Sequence, residues 1–232
     1  MIAGPNGSGK STLIETLKPL ISFGVYVNAD DVEASLQKKP LLHFEDFSIK
    51  TTTSQFHSFV TKASTIGNDS FKEAILLKSS VASNILIVET SLINSYLTSL
   101  ISDFIRHQLL QKKINFSFET VMSHPSKIAT IETANKKGYQ TYLYFIATNN
   151  PAINYGRIIS RVAKGGHRVN RQKALERYER SLALLKKAIA KSYRSFIFDN
   201  TVSLNLMAEF KEGAFLQQYA PFSDWFIKLG VL

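Results

Sequence analysis

A three-layer α/β fold around a parallel central sheet is predicted by three features of the sequence. Short apolar runs alternate with amphipathic helical stretches along most of the chain, the pattern of strand-helix-strand units with short, right-handed connections. Gly4 to Ser11 read Gly-Pro-Asn-Gly-Ser-Gly-Lys-Ser, a complete G-x-x-x-x-G-K-[ST] phosphate loop set between apolar Met1-Ile2-Ala3 and helical Thr12 to Leu17. Thr141 to Ala147 is an unbroken apolar run of the kind buried on both faces of a parallel sheet.

The elements follow in order. Met1-Ile2-Ala3 is the first strand, shorter than the usual five or so residues; either the strand is clipped or the native chain starts upstream of Met1. Thr12 to Leu17 form the helix after the loop, ended by Pro19. Gly24 to Asn28 read as a short buried strand, and Asp30 and Asp31 leave its carboxyl end, where open α/β sheets place ligands. Asp31 is the better N-cap for a helix starting at Val32. Residues 37–94 are read as an insertion carrying a small ribbon, with a helix near Ser54 to Ala63, a turn at Gly67-Asn68-Asp69 and two β-prone stretches, Ala74 to Lys78 and Asn84 to Glu89.

An amphipathic helix follows, with Tyr96, Leu97, Leu100, Ile101, Phe104, Ile105 and Leu109 at helical spacing. Asn115 to Thr120 is the next strand. Ser123 is placed to cap a helix with Pro125 in its first turn and Gly138 beyond its end. Asn150-Pro151 opens a helix running to Gly165-Gly166, and Asn170 opens a long helix with Leu175, Tyr178, Leu182, Leu185 and Ile189 on its apolar face. Ser195 to Asn200 is read as the last core strand, and Pro221 to Ile227 as a short docking helix. Residues 1–232 thus form a single domain, with 157–180 a lid region.

Composition narrows the classes. The chain has 232 residues, 44% of them hydrophobic and 20% charged, enough to bury a core as one domain. It has no cysteine, so disulfides, thiolate metal sites and thiol nucleophiles are excluded. No run is long enough to span a membrane and no signal segment opens the chain, so no membrane partner and a cytoplasmic location are expected. Twenty-eight Lys and Arg against 18 Asp and Glu leave a net charge of +10, much of it between Arg157 and Arg194. That placement suits a nucleotide-facing lid better than nucleic acid.

The phosphate loop points to a nucleoside triphosphate. Gly4, Pro5, Asn6, Gly7, Ser8, Gly9, Lys10, Ser11 and Thr12 are the nucleotide-binding candidates. The glycines let backbone N–H groups turn toward phosphates, Lys10 reaches the β/γ-phosphates and Ser11 is placed to ligate Mg²⁺. Phosphoryl transfer to a hydroxyl also needs a carboxylate base and cations that offset charge on the transferring group. Asp30 is the candidate base, and Asp31 is either a cap or a contact to a Mg²⁺-bound water. Arg157, Arg161, Arg168 and Arg177 surround Gly165-Gly166-His167, which reads either as a mobile lid or as a helix corner with solvated charge.

Several segments together resemble the zeta-toxin family of P-loop kinases. These are Gly4 to Thr12, Asn28-Ala29-Asp30-Asp31, Phe118-Glu119-Thr120-Val121-Met122-Ser123-His124-Pro125, Gly165-Gly166-His167-Arg168-Val169 with Arg177-Tyr178-Glu179-Arg180-Ser181-Leu182, and Phe198-Asp199-Asn200. Where the family often has proline, this chain has Asn170, a helix cap. The resemblance implies a P-loop NTPase/kinase fold and an ATP- or GTP-dependent, Mg²⁺-requiring kinase of a small hydroxyl substrate, for the best-known members the 3′-hydroxyl of UDP-N-acetylglucosamine. It implies that Lys10 and Ser11 hold phosphates and Mg²⁺, that Asp30 is the base, and that Glu119 and Thr120 contact the acceptor. Lid arginines, Arg161 first and then Arg157 and Arg168, would stabilise the transition state, and an antitoxin protein is a possible partner. A polynucleotide 5′-hydroxyl kinase and a non-catalytic nucleotide-binding module are the rival readings.

Overall fold

The structure is a computed structural model that describes residues 1–63, 69–163, 165 and 169–231. In chain order its elements begin β1 (Ile2–Ala3), α1 (Lys10–Leu17), β2 (Val25–Val27), α2 (Ala29–Lys38), β3 (Leu41–His43), α3 (Thr53–Lys62), α4 (Asp69–Leu77), β4 (Ser79–Ala82) and β5 (Ile85–Val88). They continue α5 (Ser95–Gln111), β6 (Phe116–Thr120), α6 (Ser126–Lys136), β7 (Tyr142–Ala147), α7 (Pro151–Ala163), α8 (Arg171–Lys191), β8 (Arg194–Asp199), β9 (Asn205–Lys211), β10 (Ala214–Gln218) and α9 (Asp224–Ile227). This is an α/β fold with a mostly parallel central sheet, as the sequence predicts. No helix among the described residues is long and apolar enough to cross a membrane.

The chain forms two compact units, Met1–Ser22 with Glu119–Leu232, and Phe23–Phe118. The second is wider than the insertion read over 37–94, because β2, α2 and α5 pack with it. Strand β6 crosses the boundary between Phe118 and Glu119.

In the first unit β1 lies between β6 and β7, parallel to both, with Ile2 opposite Glu119 and Tyr144, and Ala3 opposite Thr120 and Phe145. Strand β8 adds to β7 in parallel, and β9 and β10 continue the sheet antiparallel. Helices α6, α8 and α9 bury one face around Phe145, Leu185, Ile197, Phe210 and Trp225. Side chains alternate along a strand, so Ile2 and Ile146, also buried, face the other side.

The β9–β10 hairpin corrects the reading of β8 as the last strand. Glu212 and Gly213 both have positive φ, 52° and 85°, as a tight hairpin turn requires. The start of α6 is also corrected. It begins at Ser126, whose N–H donates to His124 Nδ1 at 3.2 Å, so Pro125 precedes the first turn and Ser123 is not the cap. Asn170 caps α8 as predicted, its Oδ1 accepting from Lys173 N.

In the second unit β3, β5 and β4 form a three-stranded antiparallel sheet, and β2 pairs with Phe116–Phe118 of β6. Phe104 of α5 meets the rings of Phe44 and Phe56 edge-on at 5.6 and 5.2 Å. Two expectations fail here. Ala74 to Leu77 are helical, part of α4, because Ile75 is the one residue of that helix driven fully inside and good helix formers surround it. Tyr96 is 62% exposed and leaves the apolar stripe of α5, while Arg106 is buried beneath Phe118, paired with Asp103. Burial lowers that guanidinium to a pKa of about 10. Of the predicted turn at Gly67-Asn68-Asp69, Gly67 and Asn68 lie outside the described residues.

Candidate active site

Strand β1 ends at Ala3, and the chain turns through Gly4 to Gly9 before α1 begins at Lys10. The loop is pressed against three neighbours. A Cβ on Gly4 would meet Ile146 O at 2.1 Å, one on Gly7 would meet Asn154 O at 2.2 Å, and one on Gly9 would meet Asn200 Nδ2 at 2.1 Å. All three have positive φ, so space and backbone both demand glycine.

Gly9 is the N-cap of α1, and no side chain caps the helix. The N–H groups of Ser11 and Thr12 are therefore left to an outside acceptor, at the positive end of the helix dipole. Both residues are exposed. That arrangement is a site for an anion.

Lys10 is 7% exposed. Its Nζ donates to the carbonyls of Gly4 at 2.9 Å and Pro5 at 3.1 Å and lies 3.7 Å from Glu119 Oε1. The ammonium thus sits across the loop mouth against the carboxylate at the end of β6. Thr120 is engaged on two sides, its carbonyl accepting from Gly4 N at 3.2 Å and its hydroxyl accepting from Met122 N at 3.0 Å. That second bond caps the turn by which the chain leaves β6.

Arg157, on α7, is half-buried and donates to the carbonyl of Thr201 at 3.3 Å, beside the Asn200 that touches Gly9. Arg161 is exposed one turn further on. Lys164, Gly166, His167 and Arg168 lie outside the described residues, so of the region 157–180 read as a lid the structure describes α7, Gly165, Val169, Asn170 and the first part of α8.

Asp30 and Asp31 belong to the second unit. Both are exposed in the first turn of α2, which starts at Ala29 and not at Val32. The cap is Asn28, whose Oδ1 accepts from Asp30 N at 3.1 Å, so Asp31 is not the cap. Asparagine serves as well as aspartate there, and the helix begins as soon as β2 releases the chain.

Two loop supports escaped the sequence reading as site residues. Asn154 Nδ2 donates to Asn6 O at 2.9 Å, and Asn200 Nδ2 donates to Ser8 O at 2.8 Å. Asn200 stood in a recognised segment, yet nothing in its spacing says that its amide reaches back 192 residues.

The family model described as Zeta toxin matches residues 66–208, more than half of the chain. The chain belongs to the Zeta toxin family. The Zeta toxin match spans Glu119, Thr120, Arg157 and Asn200 and begins after the phosphate loop and Asp30. One relative, a Haemophilus influenzae protein named only as uncharacterized, is 36% identical over 61 residues, which is 26% of this chain and 44% of that protein. The chain thus spans less than half the length of that relative.

Two solved structures align with the Zeta toxin chain at 14% identity, and the first of them shares its fold. The crystal structure of AvrRxo1-ORF1:AvrRxo1-ORF2 with sulphate ions aligns with a TM-score of 0.54, covering 93% of this chain and 59% of that one. The PezAT chromosomal toxin-antitoxin system of Streptococcus pneumoniae aligns with a TM-score of 0.49, covering 98% and 81%.

Proposed function

We propose that this chain is a phosphotransferase that moves the γ-phosphoryl group of ATP or GTP to a hydroxyl of a small molecule, of the UDP-N-acetylglucosamine type. The observation that carries the reading is the phosphate loop. Three glycines are packed so tightly that no side chain fits, and α1 has no side-chain cap. Lys10 lies at the mouth of the loop, facing Glu119. Membership of the Zeta toxin family supports transfer over mere binding.

In this reading Gly4 to Thr12 hold the triphosphate and Lys10 shifts from the Gly4 and Pro5 carbonyls onto its β/γ-phosphates. Asp30 takes the acceptor's proton, Glu119 and Thr120 contact the acceptor, and Asp31 orders water nearby. Arg161 and Arg157, with Arg168, offset charge on the transferring group. The donor set suits Mg²⁺ carried in by the nucleotide, because the Ser11 hydroxyl is exposed at the helix start and an ion of this kind keeps most of its ligands as phosphate and water. When bound, Mg²⁺ supplies charge neutralisation on the phosphates. A toxin of this kind also calls for a neutralising protein partner, which we include in the proposal.

The test is transfer from γ-labelled Mg-ATP or Mg-GTP to UDP-N-acetylglucosamine, with a 5′-hydroxyl oligonucleotide as the competing acceptor. Label on the sugar nucleotide, lost by about a hundredfold or more in Asp30→Asn, is the expected result. Label on the oligonucleotide, or full transfer by Asp30→Asn, would overturn the acceptor class or the base.

A further inference from the structure

We infer that Asn154 and Asn200 are positioning residues that hold the phosphate loop in its anion-binding shape, a deepening of the nucleotide-binding part of the proposal above. A loop of this kind binds phosphate only when its N–H groups face inward, and each inward N–H forces a neighbouring carbonyl outward. The outward carbonyls of Asn6 and Ser8 receive the amide donors of Asn154 and Asn200, at 2.9 and 2.8 Å. A peptide that flips would lose that donor and turn a carbonyl oxygen toward the phosphates.

The loop supplies little of this hold itself. Ser8 Oγ and Asn6 Oδ1 are buried and, among the described residues, make no hydrogen bond. Lys10 and the N–H groups of Gly4 and Ser8 engage the carbonyls of Gly4, Thr120 and Pro5, not those of Asn6 and Ser8. The two asparagines act from different elements. Asn200 continues the end of β8, where its own N–H is fixed on Ala147 O at 2.8 Å.

Asn154 stands on α7 and is 3% exposed. The Thr148 hydroxyl donates to its Oδ1, which fixes the orientation of the amide and leaves Nδ2 aimed at the loop. The Tyr178 hydroxyl of α8 donates in turn to Thr148 O at 2.6 Å. A hydrogen-bonded path therefore joins α8 to the loop through Tyr178, Thr148 and Asn154.

The test compares Asn200→Asp and Asn154→Ala with the parent chain in two measurements. Each substitution should raise amide hydrogen exchange of residues 4–11 at least tenfold in the ligand-free protein, with β7 and α8 unchanged. Each should also weaken Mg-ATP or Mg-GTP binding at least tenfold while leaving the affinity for the corresponding nucleoside within twofold, because only the phosphates meet the loop. Loop exchange and triphosphate affinity within twofold of the parent would overturn the inference. So would equal losses for nucleoside and triphosphate with faster exchange throughout, the mark of a merely structural role. A parent chain that binds neither triphosphate would overturn the phosphotransfer reading, and the exchange measurement would still decide whether the asparagines hold the loop.

Discussion

The amide nitrogen of Asn200 lies 2.8 Å from the carbonyl oxygen of Ser8 and 2.1 Å from the place a Cβ on Gly9 would occupy. One side chain therefore supports the loop and dictates a glycine in it. Gly9→Ala meets two obstacles, that contact and a φ of 104°. It should lose triphosphate binding and about 1–3 kcal/mol of stability. Adding Asn200→Ala removes the clash but not the strained φ, so urea unfolding of the double variant should recover only part of the loss.

Glu119→Gln keeps the shape at the end of β6 and removes the charge facing Lys10. If Glu119 meets the acceptor, steady-state kinetics should show the acceptor KM rising tenfold or more. Triphosphate affinity should hold or tighten, because Lys10 no longer leaves a carboxylate to reach the phosphates. A loss confined to triphosphate binding would reassign Glu119 to the nucleotide side.

Asn28→Ala removes the side-chain acceptor at the start of α2. Loss of such a cap costs about 1 kcal/mol. Asp30 lies in the turn that the cap anchors, so if Asp30 is the base, kcat should fall while triphosphate affinity stays at the parent value. Asn28→Ser should restore most of the activity. Equal activity in Asn28→Ala and the parent would separate the cap from the chemistry.

Tyr178 provides a pH test. Burial, with the charges of Glu179 and Asp199 adding to it, raises its phenol to a pKa of about 12. A tyrosine in the unfolded chain titrates near 10. The folded state thus holds this proton more tightly, and the resulting stability is complete below about pH 10 and lost as pH rises toward 12. Denaturant midpoints measured from pH 9 to 12 should fall more steeply for the parent than for Tyr178→Phe.

Much of the chain was legible because its signals are local. Asn170 as a cap, Pro151 at a helix start and Gly138 beyond a helix end each act within one turn, and each stands where the sequence placed it. Misreadings arose where local chemistry offers two solutions. Asn28 and Asp31 are both good caps, and Ala74 to Leu77 are apolar enough for either a strand or a helix. The β9–β10 hairpin was missed although Glu212-Gly213 marks its turn, since β10 is exposed along its whole length and carries no burial pattern.

The sequence by itself determined the ligand-binding loop, the α/β class and the family segments, because a phosphate loop and helix caps are written in neighbouring residues. Only the tertiary structure decided what holds that loop. Lys10 on Glu119, Asn154 on Asn6 and Asn200 on Ser8 join residues 109, 148 and 192 positions apart, far beyond any sequence period. Such pairs arise because β1, β6 and β8 run parallel and end on the same side of the sheet, while α7 packs Asn154 against the loop, and that arrangement is a product of packing that no local pattern records.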